Sequence, residues 1–88
     1  MLDSNQLYPK MKNLSFRVLK MIFFKYDMKA DDEDLIIALN ILKNNPYPLI
    51  NKEYAPVVLN KIRKSTNENM YNCFKQIIEE DYLLEEIY

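Results

Sequence analysis

The chain has 88 residues, enough for one small domain but not for two. It contains no glycine, so the positive φ angles of hairpin turns and phosphate loops lack their usual residue, and asparagine is the main substitute for ending a helix. The net charge of −1 gives no global attraction to nucleic acid. The single cysteine excludes an internal disulfide and suits a reducing cytoplasm.

The N-terminus and the hydropathy pattern predict a cytoplasmic protein. The first residues lack the basic and apolar regions of a secretory signal. The longest uncharged apolar run, residues 35–39, is far shorter than the roughly 20 residues of a membrane span.

The first predicted helix covers residues 9–26, after a polar lead-in, residues 1–8, that is either a loose helical turn or a loose arm. Pro9 suits a first helical turn because its missing N–H would be unpaired there anyway. Phe24 falls on the basic side of this helix, with Arg17 and Lys20. Apolar residues at helical spacing form the opposite, core face: Met11, Leu14, Val18, Leu19, Ile22, Phe23 and Tyr26.

The second predicted helix opens at Ala30-Asp-Asp-Glu-Asp34, where acids favour the positive end of the helix dipole and Asp31 or Asp32 can cap it. Ile37 and Ile41 share a second side, which is either a broad buried face or a self-association patch. Pro46 ends the helix and begins a proline-stiffened loop over residues 45–52. The predicted core side is Leu35, Ala38, Leu39 and Leu42.

The third predicted helix covers residues 55–64, and the fourth begins at about residue 66. Ser65-Thr-Asn-Glu68 fits a capping box, with Ser65 as the N-cap of the fourth helix. Asp81 would continue the core stripe of the fourth helix, so that helix either clears the core there or bends. The predicted core residues are Ala55, Val58, Leu59 and Ile62 on the third helix and Met70, Phe74, Ile77 and Ile78 on the fourth.

Four helices with short connections predict an all-α fold, a small antiparallel up-down four-helix bundle in a single domain over residues 1–88. Residues 1–29 carry six bases and two acids, residues 30–50 one base and four acids, residues 51–64 four bases and one acid, and residues 65–88 one base and six acids. In an up-down bundle, every helix then lies beside neighbours of opposite sign. Each surface pair is worth at most about 1 kcal/mol, so this pattern favours a topology more than it adds stability.

No residue set predicts an enzyme, a metal site or a cofactor. The absence of histidine removes the commonest general base and metal ligand. Cys73 has no histidine partner, and we expect it to be a semi-buried helix residue. The acids of residues 31–34 lack the glycine and the spacing of a calcium loop, so they are typical of a charged helix start.

Two basic surfaces do not fit a plain bundle and are candidate binding sites. The first is Arg17, Lys20 and Phe24, because bases around an aromatic residue suit an anionic membrane surface. The alternative is that the lead-in folds over Phe24 through Leu7 or Tyr8. The second surface, on the third helix, mixes a valine with two bases: Val57, Lys61 and Lys64. Its alternative is that lysine stems lie along a surface valine.

The third candidate surface is an extended tail, residues 82–88. If the fourth helix continues, Leu83 and Ile87 leave the core stripe and are exposed for a partner. The alternative is a frayed end. The candidate residues are Tyr82, Leu83, Ile87 and Tyr88.

The segment Tyr54-Ala-Pro56-Val-Val-Leu-Asn-Lys-Ile62-Arg-Lys64 resembles a segment of the class II bacteriocin immunity proteins, most closely the lactococcin A type. The family pattern is Tyr-x-Pro, five residues, an aliphatic residue, any residue and Lys, and it is matched here without a gap. Ala38-Leu39-Asn40-Ile41 is also similar to the lactococcin A type, and the wider group includes enterocin A immunity. The resemblance covers about a third of the chain. The chain departs from the family in a longer loop at residues 45–52, a shorter link into the fourth helix and a short C-terminal part, where the family is thought to recognise its bacteriocin complex.

The resemblance implies a non-enzymatic cytoplasmic protein. It would associate, at the inner membrane face, with mannose phosphotransferase membrane components that have bound a bacteriocin, and block the pore. The alternative is a small helical protein-binding adaptor or regulator of phage, viral or mobile-element origin, which binds through the tail or through Ile37 and Ile41. A nucleic-acid partner is disfavoured, because basic helices on a bundle diagonal do not form one patch. We expect a monomer or a weak homodimer.

Overall fold

The computed structural model describes residues 14–45 and 51–83. These ranges contain four α-helices and, within them, no strand: α1 (Phe16–Lys25), α2 (Asp32–Asn44), α3 (Ala55–Ser65) and α4 (Glu68–Glu79). A short 3-10 helix, Lys52–Tyr54, leads directly into α3. The all-α prediction is therefore confirmed for the described part of the chain.

The start of α1 differs from the prediction of one helix over residues 9–26. Ser15 is extended, with φ −141° and ψ 168°, and its side chain accepts a hydrogen bond from the Val18 N–H at 3.3 Å. This N-cap satisfies one of the unpaired first-turn donors, so the helix begins at Phe16. Residues 1–13, which include Pro9 and the predicted arm, lie outside the described residues.

Aspartate, not asparagine, takes the left-handed position after two of the helices. Asp27, just past α1, has φ 56°, and Asp81, just past α4, has φ 58°. At α1 the Met28 N–H donates to the Phe23 carbonyl at 2.7 Å, and the Asp27 N–H donates to the Phe24 carbonyl at 3.3 Å. These two bonds form a Schellman motif, in which glycine is the usual residue at the left-handed position.

The junction between α3 and α4 also differs from the prediction. Ser65 is the last residue of α3 and not the N-cap of α4, so the predicted capping box is wrong. The N-cap is Asn67, whose side-chain oxygen accepts from the Met70 N–H at 2.9 Å. Thr66 remains tied to α3, because its N–H donates to the Ile62 carbonyl at 2.9 Å.

One apolar core is shared by all four helices. Successive helices contact each other, and the rings of Phe23 on α1 and Phe74 on α4 have their centroids 5.6 Å apart. The predicted core faces of α3 and α4 are confirmed in full, whereas Val18, Tyr26 and Leu39 are only half-buried. The buried apolar residues are Leu14, Leu19, Ile22, Phe23, Leu35, Ala38, Leu42, Ala55, Val58, Leu59, Ile62, Met70, Phe74, Ile77, Ile78 and Leu83. Full burial of each larger one contributes about 1.5–3 kcal/mol.

The second apolar side of α2 is partly covered. Ile37 and Ile41 are both half-buried, and Ile41 packs against the core. The more exposed large apolar residue of this helix is Ile36. Within the described ranges, no helix is long and apolar enough to cross a bilayer.

Candidate binding surfaces

Four exposed side chains form a line along α3 and the turn before it, which we name the α3 stripe: Tyr54, Val57, Lys61 and Lys64. Their spacing of three or four residues places them on one face of the helix. The side chains of Tyr54 and Val57 are 50% and 58% exposed, and both lysines are exposed. The predicted outer position of Val57, Lys61 and Lys64 is confirmed. Tyr54 extends this surface beyond the three residues that the sequence predicted.

The sequence of α3 fixes this orientation. Its apolar residues Ala55, Val58, Leu59 and Ile62 are buried, so the stripe faces away from the core. The helix contains no acidic residue, and neither Lys61 nor Lys64 has an ion-pair partner in the part of the chain that the structure describes. The face therefore presents an apolar end and an uncompensated basic end.

The third base of α3 has a different environment from the two lysines of the stripe. The Arg63 guanidinium lies over the ring of Tyr71, 4.9 Å from its centroid, and 3.9 Å from a carboxylate oxygen of Glu68. It also donates to the side chain of Asn60 at 2.8 Å. Arg63 therefore helps to hold α3 against α4 and is not part of the stripe.

The residues that carry the family resemblance are mostly on the surface. Tyr54, Pro56 and Lys64 are exposed, and only Ile62 is fully buried. The proline lies in the first turn of α3, where its missing N–H has no helical partner to lose. Packing in the core therefore accounts for one of the four motif residues.

A second line of exposed side chains runs along α1 and is named the α1 stripe: Arg17, Met21 and Phe24. Phe24 is 90% exposed and Met21 is 48% exposed. The predicted position of Phe24 among bases is confirmed, and the exposed Met21, which was not predicted there, adds to this surface. The alternative in which Leu7 or Tyr8 covers Phe24 falls on residues outside the described ranges.

Lys20 flanks the α1 stripe and also joins two helices. Its Nζ lies 3.0 Å from Oδ1 of Asp32 and 5.4 Å from the centroid of the Phe16 ring. The ion pair links the basic first segment to the acidic start of α2, as the alternation of charge predicts. Both side chains are more than half exposed, so the pair is worth less than about 1 kcal/mol.

The predicted exposure of Leu83 in a continuing helix is wrong. The fourth helix ends at Glu79, and the left-handed Asp81 turns the chain. Tyr82 then stacks on Tyr26, and Leu83 is fully buried in the core. The prediction that the helix bends at Asp81 is thus the correct one of the two, whereas Ile87 and Tyr88 lie outside the described residues.

Lys52 binds the end of α4. Its ammonium donates to the Glu79 carbonyl at 2.9 Å and lies 3.3 Å from Oδ2 of Asp81. A cation at a helix C-terminus interacts favourably with the helix dipole. This contact anchors the turn before α3 against the end of α4 and so positions the first residue of the α3 stripe.

Cys73 is the single cysteine of the chain and lies half-buried on α4. Burial raises the pKa of the half-buried Cys73 thiol, which makes the reactive thiolate less available. No group of three or more acidic or cysteine side chains that could hold a metal ion occurs among the described residues. The groove between α3 and α4, lined by Pro56, Leu59 and Tyr71 among others, has a volume of about 330 Å³. That volume is near the lower limit for a small-molecule site.

The chain matches no protein-family model, no curated protein and no solved structure.

Proposed function

We propose that this chain is a bacteriocin immunity protein. In this proposal it is a non-enzymatic cytoplasmic protein that associates, at the inner membrane face, with mannose phosphotransferase components carrying a bound class II bacteriocin. The α3 stripe is the recognition surface. The observation that carries the proposal is that three of the four residues shared with the immunity family, Tyr54, Pro56 and Lys64, are exposed.

The chemistry of the α3 stripe supports a protein partner. Tyr54 and Val57 give an apolar, partly aromatic anchor, and tyrosine is enriched among the residues that contribute most to binding. Lys61 and Lys64 lie one and two turns further along the same face. The partner's complementary surface therefore has an apolar depression beside acidic groups. The two lysines fix how the partner is aligned along α3.

The mechanism requires binding alone. An immunity protein of this kind occupies a receptor whose pore the bacteriocin has opened, so no bond is made or broken in the step that protects the cell. Exposed contact residues on the described surface, such as Tyr54 and Val57, support such a role.

We propose the up-down four-helix bundle as the arrangement of the helices. Contacts between successive helices support this arrangement, and so does the packing of the Phe23 ring against the Phe74 ring. Ion pairs between oppositely charged segments, Lys20 with Asp32 and Lys52 with Asp81, support it as well.

The second candidate is the protein-binding adaptor, and the exposure of the α3 stripe favours it too. The surfaces predicted for an adaptor are less available, since Leu83 is buried and Ile37 and Ile41 are half-buried. An adaptor that used the α3 stripe would bind its partner with or without a bacteriocin, whereas an immunity protein binds the receptor only after the bacteriocin.

The experiment that tests the proposal is expression in a sensitive lactic acid bacterium, followed by exposure to a panel of class II bacteriocins. We expect survival against one peptide or a few related peptides. The tagged chain should co-purify with mannose phosphotransferase membrane components after that peptide is added and not before. Sensitivity to every peptide of the panel would reject the immunity function, and bacteriocin-independent binding would favour the adaptor.

A further inference from the structure

Phe24 lies at a position where an aromatic ring contributes nothing to the fold. Its side chain is 90% exposed in the last turn of α1, and Met21, one turn earlier, is also exposed. A shallow depression of about 260 Å³ beside the ring is lined by apolar residues such as Met28 and Leu35, together with Lys20 and Lys29. Large apolar groups rimmed by charges mark interaction sites on a protein surface.

The charges around this ring are of one sign along the helix. α1 carries Arg17, Lys20 and Lys25 and contains no acidic residue. Lys20 pairs with Asp32, but this pair is more than half exposed and therefore weak. The long stems of basic residues allow their charges to stay at the level of lipid phosphates while the apolar groups between them go deeper.

We propose that the α1 stripe docks on an anionic lipid bilayer, with the Phe24 ring and Met21 in the acyl boundary and Arg17 at the headgroups. The occupant is a lipid surface because apolar insertion and cationic attraction act here along one short helix face, which is the combination that interfacial helices use. The acidic start of α2, at Asp31 and Asp32, lies beside Lys20 and reduces the electrostatic part. The inserted ring therefore contributes most of the affinity.

This inference rests on the proposed function only for its biological role, since it gives an immunity protein a contact with the inner membrane face. The contact itself depends on α1 and not on the α3 stripe. Lipid binding is tested without any bacteriocin or receptor. Vesicle binding without protection of cells would reject the immunity function alone, and protection without vesicle binding would reject the lipid contact alone.

The test uses the absence of tryptophan from the chain. The variants F24W and V57W each carry a single tryptophan, on the α1 stripe and on the α3 stripe. Each is titrated with vesicles of phosphatidylglycerol and phosphatidylcholine, and with phosphatidylcholine alone. We expect the emission of F24W to shift to shorter wavelength with the anionic vesicles, and that of V57W to stay unchanged.

The second readout is sedimentation with the same vesicles, which measures the partition coefficient of variants with and without the Phe24 ring. We expect F24S to lower the partition coefficient at least about tenfold, as for loss of one buried phenylalanine. R17Q should lower it about fivefold, since this is the contribution of each cation near an anionic surface. V57S, which removes an exposed side chain from α3, is the matched control and should leave the partition coefficient unchanged. Circular dichroism is used to check that each variant is folded.

Two results would overturn the proposal. One is that the wild-type chain does not sediment with anionic vesicles, in which case the α1 stripe does not bind lipid. The other is that F24S and V57S reduce binding equally, which would mean that the contact does not depend on the α1 stripe.

Discussion

The ring of Tyr26 lies flat on the ring of Tyr82, with centroids 3.6 Å apart and planes within 6° of parallel. Tyr26 is the C-cap of α1, and Tyr82 is the first residue after the left-handed turn that follows α4. The stack therefore joins the ends of α1 and α4. It also holds the chain so that the next residue, Leu83, enters the core.

A double-mutant cycle tests the contribution of this stack. We expect the coupling free energy between Y26A and Y82A, measured by urea unfolding, to be about 0.5–1.5 kcal/mol, as for other aromatic pairs. The cycle removes the separate cost of each truncation. Additive single effects, with a coupling near zero, would show that the rings do not stabilise each other.

The effect of truncating Leu83 shows whether the segment after α4 is packed against the core. Because Leu83 is fully buried, we expect L83A to lower the free energy of unfolding by about 2–5 kcal/mol. The control is V57A, which removes an exposed aliphatic side chain and should cost less than about 0.5 kcal/mol. Equal effects of the two substitutions in urea titrations would contradict the burial of Leu83.

The two left-handed aspartates predict a stabilising substitution. Because a left-handed L-residue is disfavoured by about 1 kcal/mol and glycine is not, D27G should raise the melting temperature by several degrees. D81G should raise it less, since this substitution also removes the ion pair between Asp81 and Lys52. A lower melting temperature for D27G would mean that the Asp27 side chain itself stabilises the turn.

Cys73 predicts a dependence of stability on pH. Burial raises the pKa of its thiol in the folded chain, so the folded state favours the neutral form. The associated stability is fully present below the unfolded pKa and is lost as the pH rises through the folded pKa. We expect the free energy of unfolding of the wild-type chain to fall relative to that of C73A as the pH rises above about 8.5, the usual pKa of a cysteine thiol. A difference between the two that does not change with pH would contradict this.

Periodicity predicted the interior well because the core is set by the spacing of apolar residues. The buried faces of α3 and α4 follow the 3.6-residue repeat without exception. The helix ends were harder to predict, since each depends on which one of several nearby polar side chains caps it. At the start of α4 that side chain is Asn67 and not Ser65. The course of the chain after α4 could not be predicted, because it depends on the contact of Tyr82 with the distant Tyr26.

The candidate surfaces could be predicted in part, because the spacing of the residues that face the core also shows which residues face away from it. Val57, Lys61 and Lys64 follow from one helix and its buried opposite face. Met21 was missed, although it lies four residues after Arg17 and three before Phe24, a spacing that places it on the same helix face. Tyr54 was missed because it precedes the α-helix, in a 3-10 turn whose orientation the helical repeat does not give.

The most direct test of the central claim is a survival assay with two double charge reversals. Sensitive cells express the wild-type chain, K61E/K64E on the α3 stripe, or K43E/K75E, which changes the net charge equally through exposed lysines of α2 and α4. We predict that the wild-type chain and K43E/K75E protect against the same bacteriocin, and that K61E/K64E does not, although it is folded and expressed. Protection by K61E/K64E equal to that of the wild-type chain, or no protection by the wild-type chain, would contradict the claim.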